Sequence, residues 1–257
     1  MPVMDEFQEE RAAVKNGTPR QKLAYFFDYY KWYVAGAVIA VVFIVSIIHN
    51  IVTHKDTALY AMLVNTVPLS LSEDTGGTEA FAAYAGIDTQ EYAVFFDTSA
   101  QLGLDSVSDY QTLQQIMVHI TAADLDVMVS DTDSLMRYAY LGDFHDLRDL
   151  LSPEQLESYG SSFFYIDRVV LEEAEAARQD YDQEYKPVYG DPRRPEDMQD
   201  PVPVGVYLDS GSPLLQDYVF REESPAACIL VNTRHPETSV RFLDFLMSSA
   251  EAPSGVD

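Results

Sequence analysis

Cysteine is almost missing from this chain of 257 residues, and Cys228 is the single instance. One thiol closes no intramolecular disulfide, so any folded domain here is held by its core. Cys228 also lies too far along to be a lipid-modified N-terminal cysteine. It sits in the apolar run AACILVN, where a small buried hydrophobe is expected rather than a nucleophile, which needs a partnered and partly exposed thiolate. Tryptophan is equally scarce, with Trp32 alone. Basic residues are few: 16 Lys plus Arg stand against 42 Asp plus Glu, a formal charge of −26. From residue 56 onward the imbalance is 10 against 37. Such a field repels nucleic acid and anionic headgroups and attracts cations or basic partners. Nucleic acid is therefore excluded as a partner, and solubility is the plainest use of the charge.

Catalytic signatures are lacking too. No G-x-S-x-G, G-x-x-x-x-G-K-[ST] or H-E-x-x-H string occurs. Beyond residue 56 the histidines His119, His145 and His235 are scattered, which argues no zinc site. The acidic stretch 124–133 has neither the glycine nor the closing glutamate of an EF-hand loop. No fixed-period repeat is present. We expect no catalytic residue, no metal and no cofactor.

What the chain does have is a long apolar run. Residues 34–48, VAGAVIAVVFIVSII, hold no charge, and residues 33–53 taken as a helix rise ~30 Å, the thickness of a bilayer's hydrocarbon core. Tyr29, Tyr30, Trp32 and Tyr33 precede it with Lys31 among them, side chains suited to the headgroup level. Lys15, Arg20, Lys22 and Lys31 come before the run and only Lys55 soon after it, so the N-terminus is expected in the cytoplasm. The preceding segment exceeds thirty residues and HNIVTHKD after the run offers no A-x-A site, so an uncleaved signal anchor is expected rather than a signal peptide. Thr18-Pro19-Arg20-Gln21 reads as a capped helix start. The expected organisation is a cytoplasmic and interfacial segment 1–32, a transmembrane helix 33–53 and an extracytoplasmic domain 56–257.

Within that domain, short apolar runs at 58–64, 92–96, 125–129, 163–166, 204–207 and 229–231 predict strands. Helices are predicted around EAFAAYAG, from Ser108 through Ile120, over LMRYAYL with Gly142 closing it, after the capping box of Ser152-Pro153-Glu154-Gln155, over 169–180, and from Pro236. The proline-rich stretch 185–203 reads as an extended crossover loop. Alternating strands and helices argue α/β architecture with a mostly parallel sheet. Ligands of open α/β sheets collect beyond the carboxyl ends of strands. On that rule the candidate ligand-binding residues are Asn65, Asp97, Asp131, Asp133, Asp209 and Asn232, although helix caps and turn formers use the same residue types.

Two resemblances add to this reading. VMVSDTDS, residues 127–134, resembles the nucleophile motif of haloacid-dehalogenase-type phosphohydrolases. That family also needs a lysine and a later acidic pair, and the one lysine beyond residue 56 is Lys186. ADLDVMVSDTDSLMRYAYLGDFHDLRDLLSPEQL, PVPVGVYLD and NTRHPETSVRFLDFLMSS resemble segments of extracellular solute-binding proteins of the sugar-binding type. The likeness implies a periplasmic-binding-protein-like domain closing two lobes on a ligand. Members of that family are larger and carry several sugar-stacking tryptophans, which are missing here. The expected function is a single-pass membrane protein displaying a solute-binding-like domain, binding a small polar solute or an envelope protein without catalysis. The alternatives are a scaffolding subunit of a membrane complex with a degenerate cleft, and a haloacid-dehalogenase-like phosphohydrolase.

Overall fold

The computed structural model describes residues 18–53, 55–69, 76–103, 106–179 and 188–248. The chain divides into two compact units, Met1–His54 and Lys55–Asp257. In the first, helix α1 runs over Pro19–Thr53, beginning at the proline, as the Thr18-Pro19 order anticipates. The side chains described there, residues 19, 20 and 32–47, are exposed. Among the described residues no helix is long and apolar enough to cross a membrane.

The second unit is built on a six-stranded sheet. Its strands are β1 (Asp56–Leu63), β3 (Tyr92–Asp97), β4 (Val127–Ser130), β5 (Phe163–Asp167), β6 (Pro201–Tyr207) and β8 (Ala226–Ile229), ordered β3-β1-β4-β8-β6-β5. β1 pairs parallel with β3 and with β4, whereas β8 pairs antiparallel with β4 and β6, and β6 antiparallel with β5. The sheet is therefore mixed: β3, β1, β4 and β6 share one direction, and β8 and β5 oppose it. Two three-residue strands, β2 (Thr66–Pro68) and β7 (Tyr218–Phe220), form a separate antiparallel pair.

Helices cover both faces. They are α2 (Gly76–Ala85), α3 (Ser106–Ala122), α4 (Thr132–Ala139), α5 (Pro153–Tyr159), α6 (Arg168–Gln179), the single turn α7 (Leu214–Asp217) and α8 (Pro236–Met247). Strand side chains alternate between two cores, which is why the strands read as continuous apolar runs. Leu59, Ala61, Leu63, Val127 and Val129 meet Phe81 of α2 and Phe242 and Phe245 of α8. Met62, Val64 and Met128 meet Ile116 and Ile120 of α3 and Leu135 and Tyr138 of α4. Phe81 and Phe242 stack edge to face at 5.0 Å, a geometry aromatic quadrupoles favour.

Several local expectations differ from what is observed. The strand expected at 229–231 lies three residues earlier, at Ala226–Ile229, because AACI is the part that pairs. Of the stretch expected as a crossover loop, residues 185–187 lie outside the described residues, and Pro201 and Pro203 belong to β6. Two prolines are tolerated there because the β6–β8 ladder starts only at Gly205, so the missing N–H groups leave no β8 partner unpaired. The capping box of α5 forms as expected: the Ser152 hydroxyl accepts from Gln155 N and the Gln155 side-chain Oε1 accepts from Ser152 N.

Candidate functional site

Three segments meet at the carboxyl ends of β1 and β4. Asn65 follows β1 at φ +58°, a left-handed conformation that asparagine adopts more readily than other side chains. Its Nδ2 donates to Asp131 Oδ2 at 2.5 Å and to Ser134 Oγ at 3.3 Å, and its Oδ1 accepts from Leu102 N at 2.6 Å. Asn65 thereby ties the end of β1 to the β3–α3 loop and to α4. Asp131 is the N-cap of α4, accepting from Ser134 N at 2.9 Å. Burial pushes the Asp131 carboxyl up, but hydrogen bonds from Asn65 and Ser134, with the Arg221 charge nearby, hold it below the usual carboxylate range. Glu222, just past β7, supplies a second carboxylate to the same helix end, accepting from Thr132 N at 3.1 Å and Thr132 Oγ1 at 3.0 Å. Negative charge at a helix N-terminus is favourable.

Around this knot lies a cleft of about 250 Å³ lined by Gly103, Asp109, Asp133, Arg137, Arg221 and Glu222, among others. Arg221 Nη2 donates to Leu102 O at 2.5 Å. A Cβ on Gly103 would sit 3.0 Å from Arg221 Nη1, and Gly103 has φ +81°. Glycine is thus required twice over, for the turn and for the close approach of the guanidinium. Asp109 Oδ1 accepts from Gly103 N at 2.7 Å. On the other side of α4 a hollow of about 670 Å³ opens, lined by Met136, Leu141, Tyr189, Gly190, Asp191 and Pro192 with Thr132, Asp133 and Arg137. Asp133 and Arg137 border both spaces and are exposed. Tyr189 stacks on Tyr140 at 4.2 Å between centroids.

Asn65, Asp131 and Asp133 are thus brought together, and the other sequence candidates are not. Asp97 closes β3, where it accepts from the Tyr60 hydroxyl at 2.7 Å and from Ser99 N at 2.8 Å. Asp209 is exposed and accepts from Gly211 N at 2.7 Å, closing its own turn. Asn232 lies at the opposite end of the strands, because β8 runs against β4 and its carboxyl end meets the amino end of β4. There its amide donates to Ile120 O, while neighbouring Thr233 and His235 bond the buried Asp126, at 2.5 Å and 3.1 Å. Sequence reasoning missed Arg137, Arg221 and Glu222. Arg137 was visible as the residue one turn beyond Asp133, whereas nothing local marks the pair after the three-residue β7.

Among the described residues no group of three or more His, Cys, Asp or Glu side chains is placed to hold a metal ion. Both Asp131 oxygens are engaged, Oδ1 by Ser134 N and Oδ2 by Asn65. Lys186 lies outside the described residues. Cys228 is fully buried, and desolvation raises its thiol pKa. A second surface feature lies on α3. Val107, Tyr110, Met117 and Val118 are 68%, 62%, 42% and 65% exposed, on the side turned away from the buried Ile116 and Ile120. No protein-family model, no curated protein and no solved structure compared with this chain matches it.

Proposed function

We propose that this chain is a single-pass membrane protein whose acidic α/β domain stands outside the cell membrane and binds a small polar solute without catalysis. The sheet is read as a shortened periplasmic-binding-protein-like lobe, which takes its ligand at the strand ends rather than between two closing lobes. The observation that carries this reading is the strand-end cleft, where Asp133 and Arg137 project from α4 beside walls fixed by Asn65, Asp131 and Arg221. For the anchor, the support is the uncharged apolar run 34–48 within α1, preceded by the aromatics Tyr29, Tyr30, Trp32 and Tyr33 and by the basic residues. The non-catalytic part draws on Asp131, whose carboxylate is spent on capping α4.

A thermal-shift screen of the full chain in detergent against sugars, amino acids and divalent ions tests the reading. One class is expected to raise the melting temperature, since selective binding to the folded form stabilises it. A flat response to every class defeats solute binding. A protease added to intact cells is expected to digest residues 56–257, and complete protection defeats the orientation. Phosphate-ester hydrolysis abolished by Asp131→Asn would speak for the phosphohydrolase instead.

The apolar side of α3 favours a second reading, contact with an envelope protein. A helix with apolar residues on both its inner and outer sides is ordinarily covered on both. Val118→Asp is then expected to release a co-purifying protein without unfolding the domain.

A further inference from the structure

We propose that the ligand of the strand-end site is a zwitterion, a free amino acid with an apolar or aromatic side chain, whose carboxylate is held by Arg137 and whose ammonium is held by Asp133. The inference rests on the solute-binding reading and names the class of solute. Most charges around the two spaces are already committed within the fold. Asp131 accepts from Asn65 and Ser134, Glu222 from Thr132, Asp109 from Gly103, and Asp191 from Arg193 N at 2.9 Å, while Arg221 donates to Leu102. Asp133 and Arg137 are the lining charges without such a bond among the described residues.

Their relation to each other is unusual. They stand four positions apart on α4, the spacing at which an acid and a base on a helix ordinarily pair. No ion pair joins them; the arginines that do pair include Arg148, Arg168 and Arg194. Both groups border the 250 Å³ cleft and the 670 Å³ hollow. Opposite charges one helical turn apart, on a rigid element, match a molecule that carries an ammonium and a carboxylate on one carbon. A sugar has neither charge, and an inorganic cation would use only one of the two groups.

The larger hollow provides for the side chain. Met136, Leu141 and Pro192 give it apolar walls. Tyr189 lines it as well, held in place by its stack on Tyr140, so its ring is set before any ligand arrives. The whole arrangement is charge at the mouth and an apolar body beside it, which suits leucine or phenylalanine better than aspartate or lysine.

The experiment is calorimetric titration of the full chain in detergent with L-phenylalanine, L-leucine, N-acetyl-phenylalanine amide and glucose. Binding is expected for the two free amino acids, with at least a tenfold loss when both termini are blocked. Arg137→Gln and Asp133→Asn are each expected to weaken phenylalanine at least tenfold while lowering the melting temperature of the unliganded protein by no more than about 4 °C, since both residues are exposed and touch the fold only through the helix dipole. Equal binding of free and blocked phenylalanine overturns the zwitterion. Binding of glucose alone overturns it too and leaves the solute-binding reading standing. No binding by any of the four, together with a flat thermal-shift screen, removes both.

Discussion

Replacing Asp131 by alanine strips the domain of one carboxylate that does two structural jobs, and the cost follows from its partners. The first loss is the N-cap of α4, where Ser134 N loses its acceptor, worth about 0.5–2 kcal/mol. The second is the acceptor of Asn65 Nδ2, a group only 5% exposed. A buried donor left unsatisfied costs about 1–3 kcal/mol. Together they place Asp131→Ala at about 3 kcal/mol, or a fall of ~6–12 °C in Tm for a domain of this size. Asn65→Ala is expected to cost a similar amount for different reasons. It forces alanine into the left-handed region, about 1–2 kcal/mol, and orphans Leu102 N. Because the two side chains share one hydrogen bond, the double variant is expected to fall short of the sum by about 1–2 kcal/mol.

Far-UV circular dichroism during urea titration is the assay, since the one tryptophan, Trp32, belongs to α1 rather than to the domain under test. The cycle discriminates between a knot that builds the site and a pair of side chains waiting for ligand. Groups that only contact ligand leave the unliganded stability nearly unchanged. An Asp131→Ala cost below ~0.5 kcal/mol, a surface-like value, or strict additivity with Asn65→Ala, refutes the structural assignment.

The contribution of Asp131 also has a pH signature. Its folded pKa lies below the ordinary 3.8, so its stabilisation is complete above that value and fades as pH falls through the lowered one. Asp97 and Asp146 are lowered as well, so acid titration followed by circular dichroism is expected to unfold the domain below pH 3.8. Asp143 goes the other way. Burial raises its pKa against the pull of Arg178, and its Oδ2 is buried without a partner, so the ionised form is a burden at neutral pH. Asp143→Asn is expected to raise Tm at pH 7 and to lose that advantage below the ordinary carboxylate pKa; a lower Tm at pH 7 contradicts the assignment. Gly205→Ala tests the β6–β8 seam. The new Cβ would fall 2.7 Å from Ala227 O and closer still to Cys228 Sγ, so a loss of about 1–3 kcal/mol is expected by urea denaturation. Adding Cys228→Ala relieves only the sulfur contact and is expected to restore part of the loss.

Why the sequence yielded some of this and not the rest follows from how far each determinant reaches along the chain. The capping box at Ser152 and the proline opening α8 are written within four residues of where they act, and both were legible. Strands buried in the sheet announce themselves as apolar runs, and all six expected positions overlap a main-sheet strand, the last by Ile229 alone. What a run does not carry is direction. YAVFFD and VMVS pair parallel with β1, whereas AACI, of the same composition class, enters antiparallel between β4 and β6. That reversal alone carries Asn232 to the other end of the strands, away from Asn65 and Asp131, although all three follow strands in the sequence. The same limit hid Arg221 and Glu222, which reach the cleft only because Thr66–Pro68 pairs with Tyr218–Phe220 across more than 150 residues of chain. A rule that ligands gather at strand ends therefore selects the correct residues only once each strand's direction is known. Both directions satisfy the backbone, as β4 shows by pairing parallel with β1 and antiparallel with β8, so a strand's own composition does not state its direction.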